Sequence, residues 1–352
     1  MSPRTASRSA GRRAARREDR PSRLRTLATA AAPRLLVLLH LLLVLTGIAG
    51  LVASAAGVGP AYAGGAGAAL ITTTYTWVLA LRTSGRWMLF TLLVGALSGL
   101  AAFGDYDLLR TGAAVSTASL GAVLGVMVTV PTVRFAAAAR EVLLAMGVAF
   151  VGAVAAVGYE PVINVARFGY TTLVVSFVLV FALVYRLGAG LHGLGRRGLI
   201  VVVGGGVVLG VTLAYAELLR RYGTPGLVTS VFDTIDWTRD HLGAFPRPLQ
   251  ALLGIPALAW GCHQRARRRQ GWWVSAFGVG ATVPISHLVV SPAFTLPHLA
   301  LAELYTLVVG LLLGYVVIRI DLRMTGSRGR RGRRAEEAAA IRPEPPRTQA
   351  LL

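Results

Sequence analysis

The 352-residue chain contains no lysine, one asparagine (Asn164) and one cysteine (Cys262), and only 15 acidic residues against 36 basic ones, all arginine. Each shortage excludes something. Without lysine there is neither a Schiff-base nucleophile nor the phosphate-binding lysine of a P-loop, so lysine-dependent covalent catalysis and P-loop nucleotide hydrolysis are ruled out. A lone cysteine cannot close a disulfide within the chain and lacks the repeated spacing of a zinc or iron–sulfur site. No metal or other cofactor is expected. Arginine, alanine and glycine have GC-rich codons whereas lysine and asparagine have AT-rich ones, and this bias points to a GC-rich bacterial genome.

What is abundant is apolar: 55% of residues are hydrophobic although the formal net charge is +21. A nucleic-acid binder of that charge spreads arginine over a folded surface. Here the arginines crowd into two tails and a few short loops between long apolar runs. No nucleic-acid partner is expected, and the solvent for most side chains is lipid. Residues 1–34 hold ten arginines without apolar periodicity, and residues 321–352 are rich in arginine and proline. Neither stretch can bury a core, so both read as disordered cytoplasmic tails able to touch anionic lipid.

Residues 35–320 between them read as an all-α, polytopic membrane helix bundle of about ten transmembrane helices. The expected spans are 35–57, 63–81, 87–103, 112–130, 135–157, 168–185, 198–219, 248–262, 272–290 and 299–318. The span 248–262 is short and contains Pro256; if it is re-entrant, every later crossing reverses. Charge decides between the two. With the N-terminus inside, the inner loops carry eleven arginines, the outer loops six, and the C-terminal tail nine more inside. This positive-inside bias supports ten crossings of a bacterial plasma membrane with both termini cytoplasmic.

The one long segment between spans, 220–247, falls on the outer face. Thr224 can cap a helix, Pro225 suits its first position, and Gly243 followed by Pro246 supplies a stop, which together bracket 225–242. Apolar residues recur along one face, while Asp233, Asp236 and Asp240 share another. The helix is amphipathic and is expected to lie on the outer surface, apolar side down. Four spans carry G-x-x-x-G, at Gly95/Gly99, Gly121/Gly125, Gly206/Gly210 and Gly310/Gly314. These small residues permit close helix approach within the bundle and leave a homo-oligomer open.

Ionisable groups inside apolar spans carry most information, since each costs about 2.5–3.5 kcal/mol at mid-membrane and must face protein or water. Glu303 falls about 7 Å below the outer end of the last span, at 1.5 Å rise per residue. His287 lies similarly deep in the preceding span, and a short connector makes the two spans neighbours. With His298, Tyr305 and Thr306 nearby, they form a candidate outward-facing proton or cation site; the plainer alternative is that they only satisfy each other. A transporter or flippase-like protein follows from the first reading. A glycosyl- or acyltransferase would use outer acids such as Asp105 and Asp107, and a non-catalytic scaffold for envelope or division proteins needs no pathway. No catalytic residue and no protein partner can be named from the sequence.

Overall fold

The computed structural model describes residues 23–189, 191–222, 225–267, 271–291, 295–325, 344–347 and 349–351. Residues 1–22 of the expected N-terminal tail, Thr224, the arginines at 268 and 269, and the basic run 328–334 lie outside the described residues. All regular structure among the described residues is helical. The chain divides into two compact units, with the boundary between Leu42 and Leu43 inside helix α1 (Arg23–Ala55).

The second unit holds the remainder of α1 and all later elements. These are α2 (Ala63–Arg82), α3 (Trp87–Phe103), α4 (Asp107–Met127), α5 (Phe135–Val157), α6 (Val165–Val184), α7 (Leu191–Tyr222) and α8 (Pro225–Leu242). They are followed by α9 (Ile255–Arg265), α10 (Gly271–Ala276), α11 (Val279–Val290) and α12 (Leu296–Thr325). Among the described residues, six segments are long and apolar enough to cross a bilayer: Arg34–Ala55, Asp107–Met127, Phe135–Val157, Val165–Leu187, Gly271–Val290 and Pro297–Met324. The other expected spans fall short for separate reasons. In α2, glycine and Thr72, Thr73, Thr74 and Thr76 dilute the apolar content. α3 has only 17 residues, α7 is strongly apolar only over Val202–Ala214, and α9 is short.

Pro256 does not break its span. The turn before it, Leu249–Gly254, is wound as a π-helix, and the proline falls in the first turn of α9, where its missing N–H goes unnoticed. The chain is therefore helical from 249 to 265. Next in sequence, Gly271–Val290 is the most enclosed of the six apolar segments. It breaks at Phe277–Gly278 into α10 and α11, with tight three-residue turns from Val274 to Ala281.

This pair crosses the π-turn and α9 at almost no separation. A Cβ on Gly254 would run into the backbone of Gly280 and Ala281, and one on Gly261 would lie 2.6 Å from the Ser275 nitrogen. Around the pair stand α5, α6 and α4, while α12 packs on the π-turn and α9. Gly121 meets Gly152 between α4 and α5, and Gly310 and Gly314 meet Ile255 and Ala259 between α12 and α9. Gly99, Gly206 and Gly210 face open space. Two of the four G-x-x-x-G pairs thus close the bundle itself.

The interior combines many small and hydroxylated side chains with large ones such as Ile71, Phe168 and Leu258, and further bulky apolar residues such as Leu92, Val178, Val207 and Leu312 point outward. That inside-out arrangement suits lipid, which solvates leucine as well as a protein core does. The threonines of α2 return their hydroxyls to carbonyls four residues back, and Thr72 also meets Thr117 at 2.7 Å and Tyr159 at 3.0 Å.

The close crossing yields a paired expectation. Gly254→Ala forces backbone apart and should cost about 1–3 kcal/mol by overpacking, read as a lower melting midpoint in detergent. Gly206→Ala meets nothing and should leave that midpoint unchanged or slightly raised. Equal effects at the two positions would contradict the packing described.

Candidate functional site

Polar groups gather at two places, at opposite ends of α5. The first lies where α11 ends and α12 begins. Gly243, with φ +78°, terminates α8 in the left-handed region that glycine tolerates. The carbonyls exposed there are met from α12: Tyr305 donates its hydroxyl to Leu242 O at 2.8 Å, and His298 Nδ1 lies 2.9 Å from Gly243 O. Thr306, fully buried, donates to Ala302 O and accepts the backbone N–H of Arg247 at 2.9 Å. Three of the five residues expected to form a site therefore tie the connector after α8 to α12.

Glu303 and His287 remain, and no hydrogen bond or ion pair joins them among the described residues. Glu303 Oε2 instead accepts from Gln250 Nε2 at 2.8 Å, and the same amide nitrogen donates to Ala281 O at 2.9 Å. The other carboxylate oxygen, Oε1, is buried without a hydrogen-bond partner. Arg247 faces both side chains electrostatically, and its Nη1 reaches Pro284 O at 3.4 Å. The His287 ring packs against Gly169 of α6, where a Cβ would lie 2.7 Å from Cδ2.

Between these groups is a cavity of about 390 Å³. Tyr170, Leu173, Leu213 and Leu249 supply its apolar wall, and Arg247 and His287 supply its charged and polar one. Sequence reading placed Glu303 and His287 at this end but missed Arg247 and Gln250. Their signal was available: both lie beside Pro248 at the outer edge of the shortest expected span. The acids expected above the site, Asp233, Asp236 and Asp240, are all exposed on α8, and Asp236 pairs with Arg239 at 3.7 Å. Asp105 is likewise exposed and lies 3.5 Å from Arg110.

The second cluster was not foreseen. Arg82 ends α2, Thr129 follows α4, Glu141 lies near the start of α5, and Arg265 ends α9; all four side chains are buried. Into this cluster run residues 344–347 and 349–351, from the stretch read as a basic, proline-rich tail. Arg265 grips Glu344 through Nη2 at 2.6 Å and holds Thr129 Oγ1 and O at 2.8 Å each, while its guanidinium stacks 3.6 Å from the Trp272 ring centre. Arg82 donates to the carbonyls of Pro345, Pro346 and Gln349 at 3.2, 2.6 and 2.8 Å, and Leu351 N returns a bond to Arg82 O.

Arg347 forks onto both oxygens of Glu141, which also accepts from Val130 N and Arg140. That carboxylate holds the Arg347 guanidinium above its ordinary pKa by direct hydrogen bonding. In the sequence Arg140 and Glu141 are adjacent charges and Arg82 is one of the inner-loop arginines; no local pattern links them to residues more than 200 positions away.

A buried ion pair with one partner removed leaves the other uncompensated. Glu141→Gln should therefore cost about 3–5 kcal/mol, toward the lower end because Arg347 is 33% exposed. Thermal unfolding of the purified chain measures this. A melting midpoint equal to that of the parent would show that the pairing contributes nothing.

Comparison with known protein families, with curated proteins and with solved structures finds no match to this chain.

Proposed function

We propose that the chain is a multi-pass carrier of the bacterial plasma membrane, of the transporter or flippase class, and that it moves an anionic amphiphile through the cavity at Arg247 and His287. The several long apolar helices are compatible with a multi-pass membrane protein. The single observation that carries the reading is the makeup of that cavity. A wall of Tyr170, Leu173, Leu213 and Leu249 takes an apolar body, and one guanidinium beside one imidazole takes an acidic head. Glu303 sits behind Arg247 with one carboxylate oxygen unsatisfied. It gives the arginine an internal counter-charge to return to when the ligand leaves, and an acid at this depth suits proton coupling.

In this reading ten crossings are made: the helical stretch 249–265 and the joined α10–α11 each cross once, and α2, α3 and α7 cross despite their modest hydropathy. Both termini are then cytoplasmic, α8 lies on the outer face with its three aspartates toward water, and the cavity opens on the outer half of the membrane. A periplasm-active reporter joined after Gly243 should be active, and a fluorescent protein joined after Leu352 should fluoresce in the cytosol. An inactive reporter at Gly243 would invert the map.

Transport is tested by reconstitution into vesicles carrying fluorescent phosphatidylglycerol or phosphatidylcholine, with and without an imposed proton gradient. An impermeant quencher should bleach the acidic lipid beyond its outer-leaflet share and spare the zwitterionic one. Arg247→Gln removes the charged donor and should slow that exchange at least about tenfold, from the ~1.5–3 kcal/mol of a charge-assisted hydrogen bond. Asp240→Asn should leave it unchanged. Bleaching equal to that of protein-free vesicles would reject the carrier reading for these lipids.

A further inference from the structure

The cluster at the other end carries more positive charge than it can pair. Four guanidiniums, of Arg82, Arg140, Arg265 and Arg347, meet two carboxylates, of Glu141 and Glu344. The cluster keeps an excess of two positive charges, and of the four guanidiniums Arg82 meets only neutral carbonyls. Arg82 is the extreme case: its side chain is fully buried, yet Nη2 has no hydrogen-bond partner. Thr132 Oγ1, 6% exposed, is buried and unpartnered as well. Unsatisfied buried donors of this kind cost about 1–3 kcal/mol each, more when charged, so a folded chain that keeps them retains room for something that would satisfy them.

Such room lies beside Thr132, with Arg82 behind the prolines of its wall. A cavity of about 550 Å³ is lined by Thr132, Arg134, Arg140 and Ala266 on one side and by Glu344, Pro345 and Pro346 on the other. The two prolines of its wall are the residues whose carbonyls Arg82 holds. The carboxylate in the same wall is the anion that Arg265 holds. Residues 344–346 and Gln349 therefore behave as a ligand in place: they offer one carboxylate and three carbonyls to arginines that recognise anions.

We propose that this cavity is a binding site for a phosphate monoester or free phosphate dianion. The dianion takes the place of the Glu344 carboxylate on Arg265 and is completed by Arg134, Arg140 and Thr132. A dianion carries one more negative charge than the carboxylate it displaces, which lowers the excess positive charge of the cluster, and it presents enough oxygens for several guanidiniums at once. Glu344 competes for the same donors, so the C-terminal segment sets the threshold for binding. The site stands apart from the Arg247 cavity, and its test does not depend on transport.

The experiment titrates the full chain in neutral detergent with radiolabelled inorganic phosphate by equilibrium dialysis, and with phosphatidic acid by native mass spectrometry, phosphatidylcholine serving as control. Saturable binding of one phosphate source is expected, with none for phosphatidylcholine. Arg134→Gln and Arg140→Gln, both at exposed positions, should each weaken it by about tenfold, from the loss of one charge-assisted contact. Glu344→Gln removes the competitor and should tighten it by about tenfold. Tightening is the signature, because a carboxylate that merely straps the fold gives no such gain. Binding of phosphatidic acid alone assigns the site to a lipid headgroup, and binding of inorganic phosphate assigns it to the free group. Absence of both from the parent chain and from the Glu344→Gln chain, or affinity that Glu344→Gln leaves unchanged or lowers, would overturn the proposal.

Discussion

In an apolar surrounding, no water is on hand to satisfy a charge or a peptide group, so each must find its partner within the chain. That constraint orders this molecule. Its mid-bundle carbonyls are met by the helices' own ladders, by threonine hydroxyls folded back on α2, and by Gln250 reaching Ala281. Its buried charges do not scatter through the bundle. They collect at two clusters, one around Arg247 and Glu303, the other around Arg82, Glu141 and Arg265, where several donors and acceptors share the cost of desolvation. A lone pair of ions at either place would gain little over apolar residues of the same size. A network with one member unpaired at each end is harder to explain by stability alone, because the unpaired member is where stability is lost.

The helical class was legible because hydrophobic runs and arginine-rich loops are local signals, and they survive without knowledge of any contact. The same holds for α8, whose Pro225 start and Gly243 stop coincide with the bounds found. Interior partners were less accessible. Glu303 and His287 were placed at one end of the bundle from depth alone, but depth does not say which faces of two helices meet. In the fold each turns to the connector between α8 and α9, through Gln250 and Arg247. The Arg82 cluster was invisible for a stronger reason. Its members are an end-of-helix arginine, an i,i+1 pair and a segment from a low-complexity tail, each of which has a sufficient local explanation.

The tightness of the central crossing also bears on how the two clusters relate. α10 and α11 together run from Trp272, which stacks on Arg265, to His287, which lines the Arg247 cavity. This segment is broken at Phe277–Gly278, contains Pro284, and meets Gly254 through backbone and Gly261 through the backbone and hydroxyl of Ser275. Backbone-to-backbone packing has no soft rotamers to absorb a shift, so displacement of one helix there obliges its neighbour to move or the contact to open. Broken helices crossing at close range are the arrangement from which membrane carriers build sites near the bilayer interior. In this chain both polar clusters are attached to the same broken segment, one through Trp272 stacked on Arg265 and the other through His287, so the packing of that segment constrains the geometry of both.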